Sequence, residues 1–490
     1  MTLGGDPVRT ELRFLLYLPV LAVVSCSGAG IVGDGLPVQN EEAASQAFLD
    51  RIQRDTFDFF WETTPPDTGL AKDRYPAGDV SSVAATGFAL TSYLVGVERA
   101  YVSRADAAAR TLATLRFLWQ APQSPDPRNA AGYRGFFYHF LYPDTGLRAY
   151  GCELSTVDTA LLMAGVLSAA AFFNRDDPAE ESIRDLADQL YRRVDWVWAY
   201  SQRNWPLLSM GWTPEEGFLA NDWEGYNEAM ILYILALGSP SYPIGSEAWD
   251  SWTSSYIWDQ TYGEAHVSFG PMFGHQYSHV WIDFREIQDV YMRTRGIDYF
   301  VNSVRATHAN REFCMKNPNN WSGYGASVWG LTASDGPMND APEIDPNASP
   351  FRAYWARGMG SDWARDDGTI APTAVGGSVP FAPELTISTL RYFKERFGDQ
   401  IYGRYGFKGA FNLSFALGSG SSPGWFAGQY LGIDQGPILL MIENHRTGFV
   451  WDLMKKSPYV VHGLAAAGFT GGWLGHRTDV ARSEDPSTSQ

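Results

Sequence analysis

Three carboxylates and two aromatic rings fall within seven residues at Asp222-Trp223-Glu224-Gly225-Tyr226-Asn227-Glu228, just before the apolar run Ala229 to Leu237. A helix that apolar belongs in an interior, and an acid in its first turn is costly unless it caps, pairs or does chemistry. Glu224 and Glu228, four apart, share a face if the helix begins early enough. Glu153-Leu154-Ser155-Thr156-Val157-Asp158 repeats the pattern ahead of TALLMAGVLSAAAFF. Acids at two buried helix entries predict a carboxylate-lined pocket of the kind that splits glycosidic bonds.

The elements that must position these acids are helices. Apolar residues recur at helical spacing over 44–61, 82–102, 105–119, 156–173, 181–200, 226–237, 247–258, 284–293, 297–313, 382–397, 435–451 and 459–467. Strand-like alternation is scarce, and Tyr133–Tyr142 reads as a short hairpin arm over a pocket. The stretch Lys316–Asp366, rich in Asn, Gly, Pro and Asp, is a loop long enough to be functional. No repeat of 20–50 residues is visible. About twelve helices with long loops on one side predict an all-α fold, an (α/α)6 toroid over residues 41–475, with a disordered tail at 476–490. An irregular helical bundle is the alternative.

Composition limits the function. The 490 residues are 45% hydrophobic and 19% charged, enough for a large core, with a formal charge of −18 and no basic run. Nucleic acid and strongly anionic polymers are poor partners for such a surface. The 18 Trp and 25 Tyr serve cores first, but some can stack on sugar faces. Arg9 and Arg13 precede Phe14–Val24, too short to span a bilayer and suited to a signal peptide over 1–25. Val23-Val24-Ser25-Cys26 resembles a bacterial lipobox, with Cys26 the lipidated residue, 26–40 a tether and the outer membrane the expected location. Membrane contact is then through the lipid alone. Cys152 and Cys314 remain in the mature domain and could form a disulfide.

The segments Trp223–Ile244, Gln276–Arg285 (QYSHVWIDFR), Trp329–Pro337 (WGLTASDGP), Asp366–Glu384 and Tyr430–Trp451 (YLGIDQGPILLMIENHRTGFVW) resemble, in order, the glycoamylase-like domain of bacterial lipoproteins. The characterised branch of that family is glycoside hydrolase family 144. The resemblance implies an (α/α)6 barrel and inverting hydrolysis of β-1,2-glucan, a neutral substrate, to short sophoro-oligosaccharides; hydrolysis of another β- or α-glucan is the alternative, and a monomer without cofactor is expected. Met338–Pro350 departs from the more Gly/Tyr-rich continuation the family implies.

Inversion needs one protonated carboxyl to serve the leaving oxygen and one carboxylate to activate water from the opposite face. Glu228 is the candidate acid, because an apolar helix raises a carboxyl pKa; capping or pairing with arginine is the alternative. Glu153 and Asp158 are candidate partners, though N-terminal charge stabilisation also explains Asp158. Asp222 and Glu224 could line the cleft or merely solvate a turn, with Trp223 and Tyr226 beside them. Phe137, His139, His279, Trp281 and Asp283, together with Arg74 and Trp329, are candidate sugar contacts whose alternative is core packing. Asp434 reads first as a helix N-cap and Glu443–Arg446 as a buried ion pair. Asp366-Asp367-Gly368 reads as a turn. His275 and His279 have a metal-like spacing without an acidic third ligand, so no metal is expected. A polysaccharide lyase would need cationic neutralisation that the charge does not offer, and a glycan-binding lipoprotein would not need the buried acids.

Overall fold

The computed structural model describes residues 36–341, 345, 349–359, 364–415 and 424–475. Cys26, the signal segment, the tether up to residue 35 and the tail from residue 476 lie outside the described residues. The chain divides into two compact units, Met1–Ala44 and Ser45–Gln490, and the architecture is that of the second.

In chain order the helices are α1 (Leu36–Thr63), α2 (Val83–Glu98), α3 (Arg104–Gln120), α4 (Thr156–Phe172), α5 (Pro178–Arg193), α6 (Met230–Leu237), α7 (Glu247–Ser254), α8 (Tyr277–Trp281), α9 (Val290–Arg295), α10 (Tyr299–Lys316), α11 (Pro372–Gly376), α12 (Pro383–Phe397), α13 (Gly432–Thr447), α14 (Phe449–Met454) and α15 (Pro458–Ala466). The first five residues of α1 fall within the stretch read as a tether. Among the described residues, none of these helices is long and apolar enough to cross a membrane.

The helices sort by burial into an inner and an outer ring. α2, α4, α6, α8 and α11 are buried on nearly every face, and α13 is buried from Asp434 to Asn444. α2 packs on α4, α4 on α6, α6 on α8, α11 on α13, and α13 back on α2. Gln276 closes the remaining gap: its side-chain amide donates to Ala374 O and Ser378 Oγ, both at 2.8 Å, joining α8 to α11. α1, α3, α5, α7, α10 and α12 alternate with these along the chain. α5 shows the outer type, burying Ile183, Ala187, Leu190 and Tyr191 while its charged residues face water. Six inner and six outer helices make the (α/α)6 toroid.

The tightest inner contact is between α2 and α4. A Cβ at Gly87 would lie 2.3 Å from Leu161 O, and one at Gly165 only 2.2 Å from Gly87 O, so the two backbones touch. No side chain fits there.

Short antiparallel strands gather the heads of the inner helices at one end. Phe136–Tyr138 pairs with Gly132–Tyr133 and with Leu154–Ser155, which continues to Gly211–Thr213 and Gly217–Phe218. This is the arm expected at Tyr133–Tyr142. Ser81–Ser82 pairs with Phe140–Leu141, and Arg74–Tyr75 with Tyr430–Leu431. Ser82, Ser155 and Leu431 each lead straight into an inner helix.

Several local expectations are corrected. Phe284–Asp289 is irregular; a helix there begins only at Val290, where the Asp289 carboxylate accepts from Met292 N at 2.8 Å. α8 and α11, each 5 residues long, are inner helices that periodicity could not register. Glu443 does not pair with Arg446. It accepts a fork from Arg99 at 2.7 and 3.0 Å and a bond from Gln53 at 2.7 Å, whereas Arg446 reaches Asp50. Cys152 and Cys314 are both free thiols.

Candidate active site

The head of α4 carries the first cluster. The Ser155 hydroxyl accepts from Asp158 N at 3.2 Å and donates to Asp158 Oδ2. His139, between the strands Phe136–Tyr138 and Phe140–Leu141, sets Nδ1 at 2.8 Å from Glu153 Oε1 and Nε2 at 3.8 Å from Asp158 Oδ2. Burial disfavours its protonation, but the charges of Asp158 and Glu153 outweigh that and raise its pKa to about 9. Burial would also raise the Glu153 pKa; the His139 bond overcomes it and holds the carboxyl ionised. Two carboxylates thus share one imidazolium.

Glu228 stands on the next inner helix but not within it. The helix expected from Tyr226 begins at Met230 with Ala229 as its N-cap, and Asn227 braces the turn before it, its Oδ1 accepting from Ala229 N at 3.0 Å. The Glu228 carboxyl is half-buried, and no cation offsets its desolvation. Burial raises its pKa to about 7, its own backbone N–H opposes the rise, and the Asp158 charge adds to it. A carboxylic acid that keeps its proton near neutrality can act as a general acid. Ser278 at the head of α8 donates to Glu228 O at 3.2 Å.

Across the ring, α13 presents Asp434. It is not the N-cap; Leu431 holds that position and Asp434 lies inside the first turn. Its Oδ2 is buried without a hydrogen-bond partner among the described residues, and burial, then Asp335, pushes its pKa well up while Arg74 opposes. Arg74 bonds Asp73 Oδ2 at 3.0 Å and Asp335 at 3.2 Å. Tyr277 spans the walls: its hydroxyl donates to Ile433 O at 3.1 Å, and its ring feels the charges of Asp434, Glu228 and Asp158. Burial raises the pKa of the Tyr354 phenol, from the long loop, and the charges of Asp434, Asp73 and Asp335 add to the rise while Arg74 opposes it.

The remaining candidates divide by burial. Trp223 lies under the head of α4, its Nε1 donating to Thr156 Oγ1 at 2.8 Å. Tyr226 stacks among His275, Tyr256 and Tyr299 in the core. Trp281 stacks on Phe88 and donates to Thr91, and Trp329 donates to Thr389, both fully buried. Phe137 is fully buried in the sheet. His279 bonds Ser303 at 3.0 Å, and burial lowers its pKa to about 3. None of these rings can face a sugar, so those expectations are corrected to core packing. Asp283 pairs with Arg285 and Lys455 past the far end of α8, beside a cavity of about 310 Å³ remote from the helix heads. Asp222 is tied to Ser201, Arg203 and Asn204, and Glu224 is exposed with its carbonyl bracing Asn227. His139, Glu153, Asp158, Glu228 and Arg74 do come together.

Asp73, Asp335, Tyr277 and Tyr354 were not singled out from sequence, and Asp434 was taken for a cap. A signal existed for Asp434: it precedes the apolar run ILLMI just as Glu228 precedes its own.

Fold and site together define an (α/α)6 toroid with a carboxylate-lined cleft at the heads of its inner helices. The model of the Glycoamylase family, described as "Putative glucoamylase", matches residues 220–458, which include both Glu228 and Asp434. A solved glucoamylase-named structure from Bacteroides uniformis is 33% identical, with a TM-score of 0.75 covering 87% of this chain and 98% of that one. An endo-beta-1,2-glucanase from Chitinophaga pinensis, solved with sophorotriose and glucose, is 29% identical, with a TM-score of 0.75 covering 87% and 99%. The exo beta-1,2-glucooligosaccharide sophorohydrolase (non-reducing end) of Parabacteroides distasonis is 30% identical over 454 residues, 86% of this chain. The chain spans 57% of that relative's length. The protein belongs to the Glycoamylase family.

Proposed function

We propose that this chain is an inverting hydrolase of β-1,2-glucan that releases short sophoro-oligosaccharides. The observation that carries this reading is Glu228, a half-buried carboxyl with its pKa raised to about 7 by burial and by the Asp158 charge, and with no cation among the groups that act on it. Glu228 gives its proton to the leaving oxygen as the C1–O bond breaks. Asp434, in its ionised form, takes a proton from the water that attacks C1 from the other side, and its raised pKa makes that carboxylate the stronger base. α13, which carries Asp434, is three places from α6 in the order of inner-helix packing, whereas α4, which carries Asp158, packs directly on α6. Glu153 and Asp158, held by His139, act in this reading as supports. Six carboxyl groups against only His139 and Arg74 suit an uncharged sugar and offer little cationic neutralisation to a uronate, which disfavours a lyase.

Product analysis on linear β-1,2-glucan tests the reading. New reducing ends without ultraviolet absorbance support it; an unsaturated product would make the chain a lyase, and no product a binder. Asp434→Asn should lower turnover by roughly a hundredfold or more. If Asp158→Asn does so while Asp434→Asn does not, the water-activating role passes to Asp158.

The chain is further proposed to be a monomeric lipoprotein anchored through Cys26, its toroid facing the periplasm or exterior. The lipobox-like Val23-Val24-Ser25-Cys26 supports this. Cys26→Ala should abolish membrane partitioning; soluble wild-type protein starting downstream of Cys26 would refute it.

A further inference from the structure

Glucose offers two kinds of surface: a polar rim, which the carboxylates of the cleft can serve, and an apolar C–H face, which needs an apolar partner. Trp223, Tyr226, Trp281 and Trp329 are buried in the core, and Tyr277 is buried with its hydroxyl committed to Ile433 O. Tyr354 differs. It keeps 40% of its surface exposed, and Trp355 beside it exchanges backbone bonds with Ser334, next to Asp335, whose carboxylate holds Arg74. A ring open to solvent on the chain that pairs beside the Arg74–Asp335 bridge stands at the cleft.

The chain around it is firmly held. Arg357, three residues on, is fully buried and forks onto Asp367, Nε to Oδ1 at 2.8 Å and Nη2 to Oδ2 at 2.9 Å. The same guanidinium donates to Ser334 O at 2.6 Å, Ala353 O at 3.0 Å and Trp355 O at 3.1 Å. Asp367 Oδ2 also accepts Arg352 N at 3.0 Å. Ser334 and Trp355 exchange backbone bonds at 3.1 and 3.2 Å. A buried ion pair is a weak source of net stability but a good source of fixed geometry when its donors are all used. Here they clamp the residues on both sides of Tyr354, which lies between Ala353 and Trp355.

We propose that Tyr354 is the stacking platform of the cleft, on which the glucosyl ring bound against the Asp434 wall rests, and that Arg357 and Asp367 are positioning residues that hold it there. This rests on the glucan-hydrolase reading. A platform of this kind contributes binding felt equally by the bound substrate and the transition state, so its loss falls on KM more than on kcat.

Steady-state kinetics on linear β-1,2-glucan test it with Tyr354→Phe, Tyr354→Leu and Tyr354→Ala. Alanine and leucine should each raise KM about tenfold, the equivalent of losing one good contact, with kcat changed less, and phenylalanine should stay within about twofold of wild type. Leucine keeps bulk without a ring, so wild-type KM in that variant overturns the proposal, as does phenylalanine performing no better than alanine. Asp367→Asn should raise KM alone, yet add nothing to the KM of Tyr354→Ala in the double variant; an additive effect overturns the positioning role. A wild-type chain that releases no reducing sugar would instead overturn the hydrolase reading.

Discussion

His139 and Glu153 are joined by a 2.8 Å bond between Nδ1 and Oε1, while the other ring nitrogen faces Asp158. The imidazole pKa of about 9 lies above its ordinary value of 6.5, so the native state holds a proton that the unfolded chain releases between those limits. That stabilisation is complete below about pH 6.5 and is lost as pH rises through about 9. The gap in melting temperature between wild type and His139→Gln should therefore be widest near pH 6 and close towards pH 9.5. Thermal melts showing a constant gap would assign the residue a packing role only.

Glu228 must be protonated to act as an acid, and its pKa is raised to about 7. kcat/KM on β-1,2-glucan should accordingly fall tenfold per pH unit above about pH 7. A profile flat to pH 9 would remove Glu228 from proton transfer.

Replacing Glu228 by Gln should reduce kcat by roughly a hundredfold or more. The same variant should melt higher than wild type at pH 8, because the amide spares the site a desolvated charge. Loss of both activity and stability would indicate a structural carboxyl instead.

The first-formed reducing end should be the α-anomer, as inversion at a β-linkage requires. NMR of early products decides this. A β-anomer first would require a covalent intermediate and carboxyls only about 5 Å apart.

Arg99→Met should cost about 3 kcal/mol of stability, since it strands the buried Glu443 with Gln53 and Thr447 as its remaining partners. Denaturant titration measures the loss, and activity per folded molecule should be unchanged.

The architecture was legible where the inner helices were long. α2 and α4 announce themselves as runs apolar all round, and their outer partners as stripes. α8 and α11, 5 residues each, carry too few turns for a period, so the ring could be inferred from sequence only as an approximate helix count. The acids at the heads of α4 and α6 were legible because a charge beside an apolar run is expensive wherever it falls. The aromatic residues were not. Exposure cannot be read from residue type, and most of the rings picked as sugar contacts proved to be core. Asp73 and Asp335 reach the site through loops, and their meeting at Arg74 depends on chain reversals that no local pattern encodes. Asp434 was hidden by a simpler explanation, since Asp ahead of Gln-Gly-Pro fits a cap equally well.

The pairing of Arg74–Tyr75 with Tyr430–Leu431 has a temporal consequence. Asp73 and Arg74 are synthesised early and Asp434 late, and the strand pairing that brings them together cannot form until the head of α13 has been made. The wall bearing the proposed base therefore has no existence in any shorter nascent chain. Such long-range closure slows folding. It also means that the enzyme remains inert until the ring is nearly complete, so a chain halted or clipped before residue 430 carries Glu228 but no partner with which to use it.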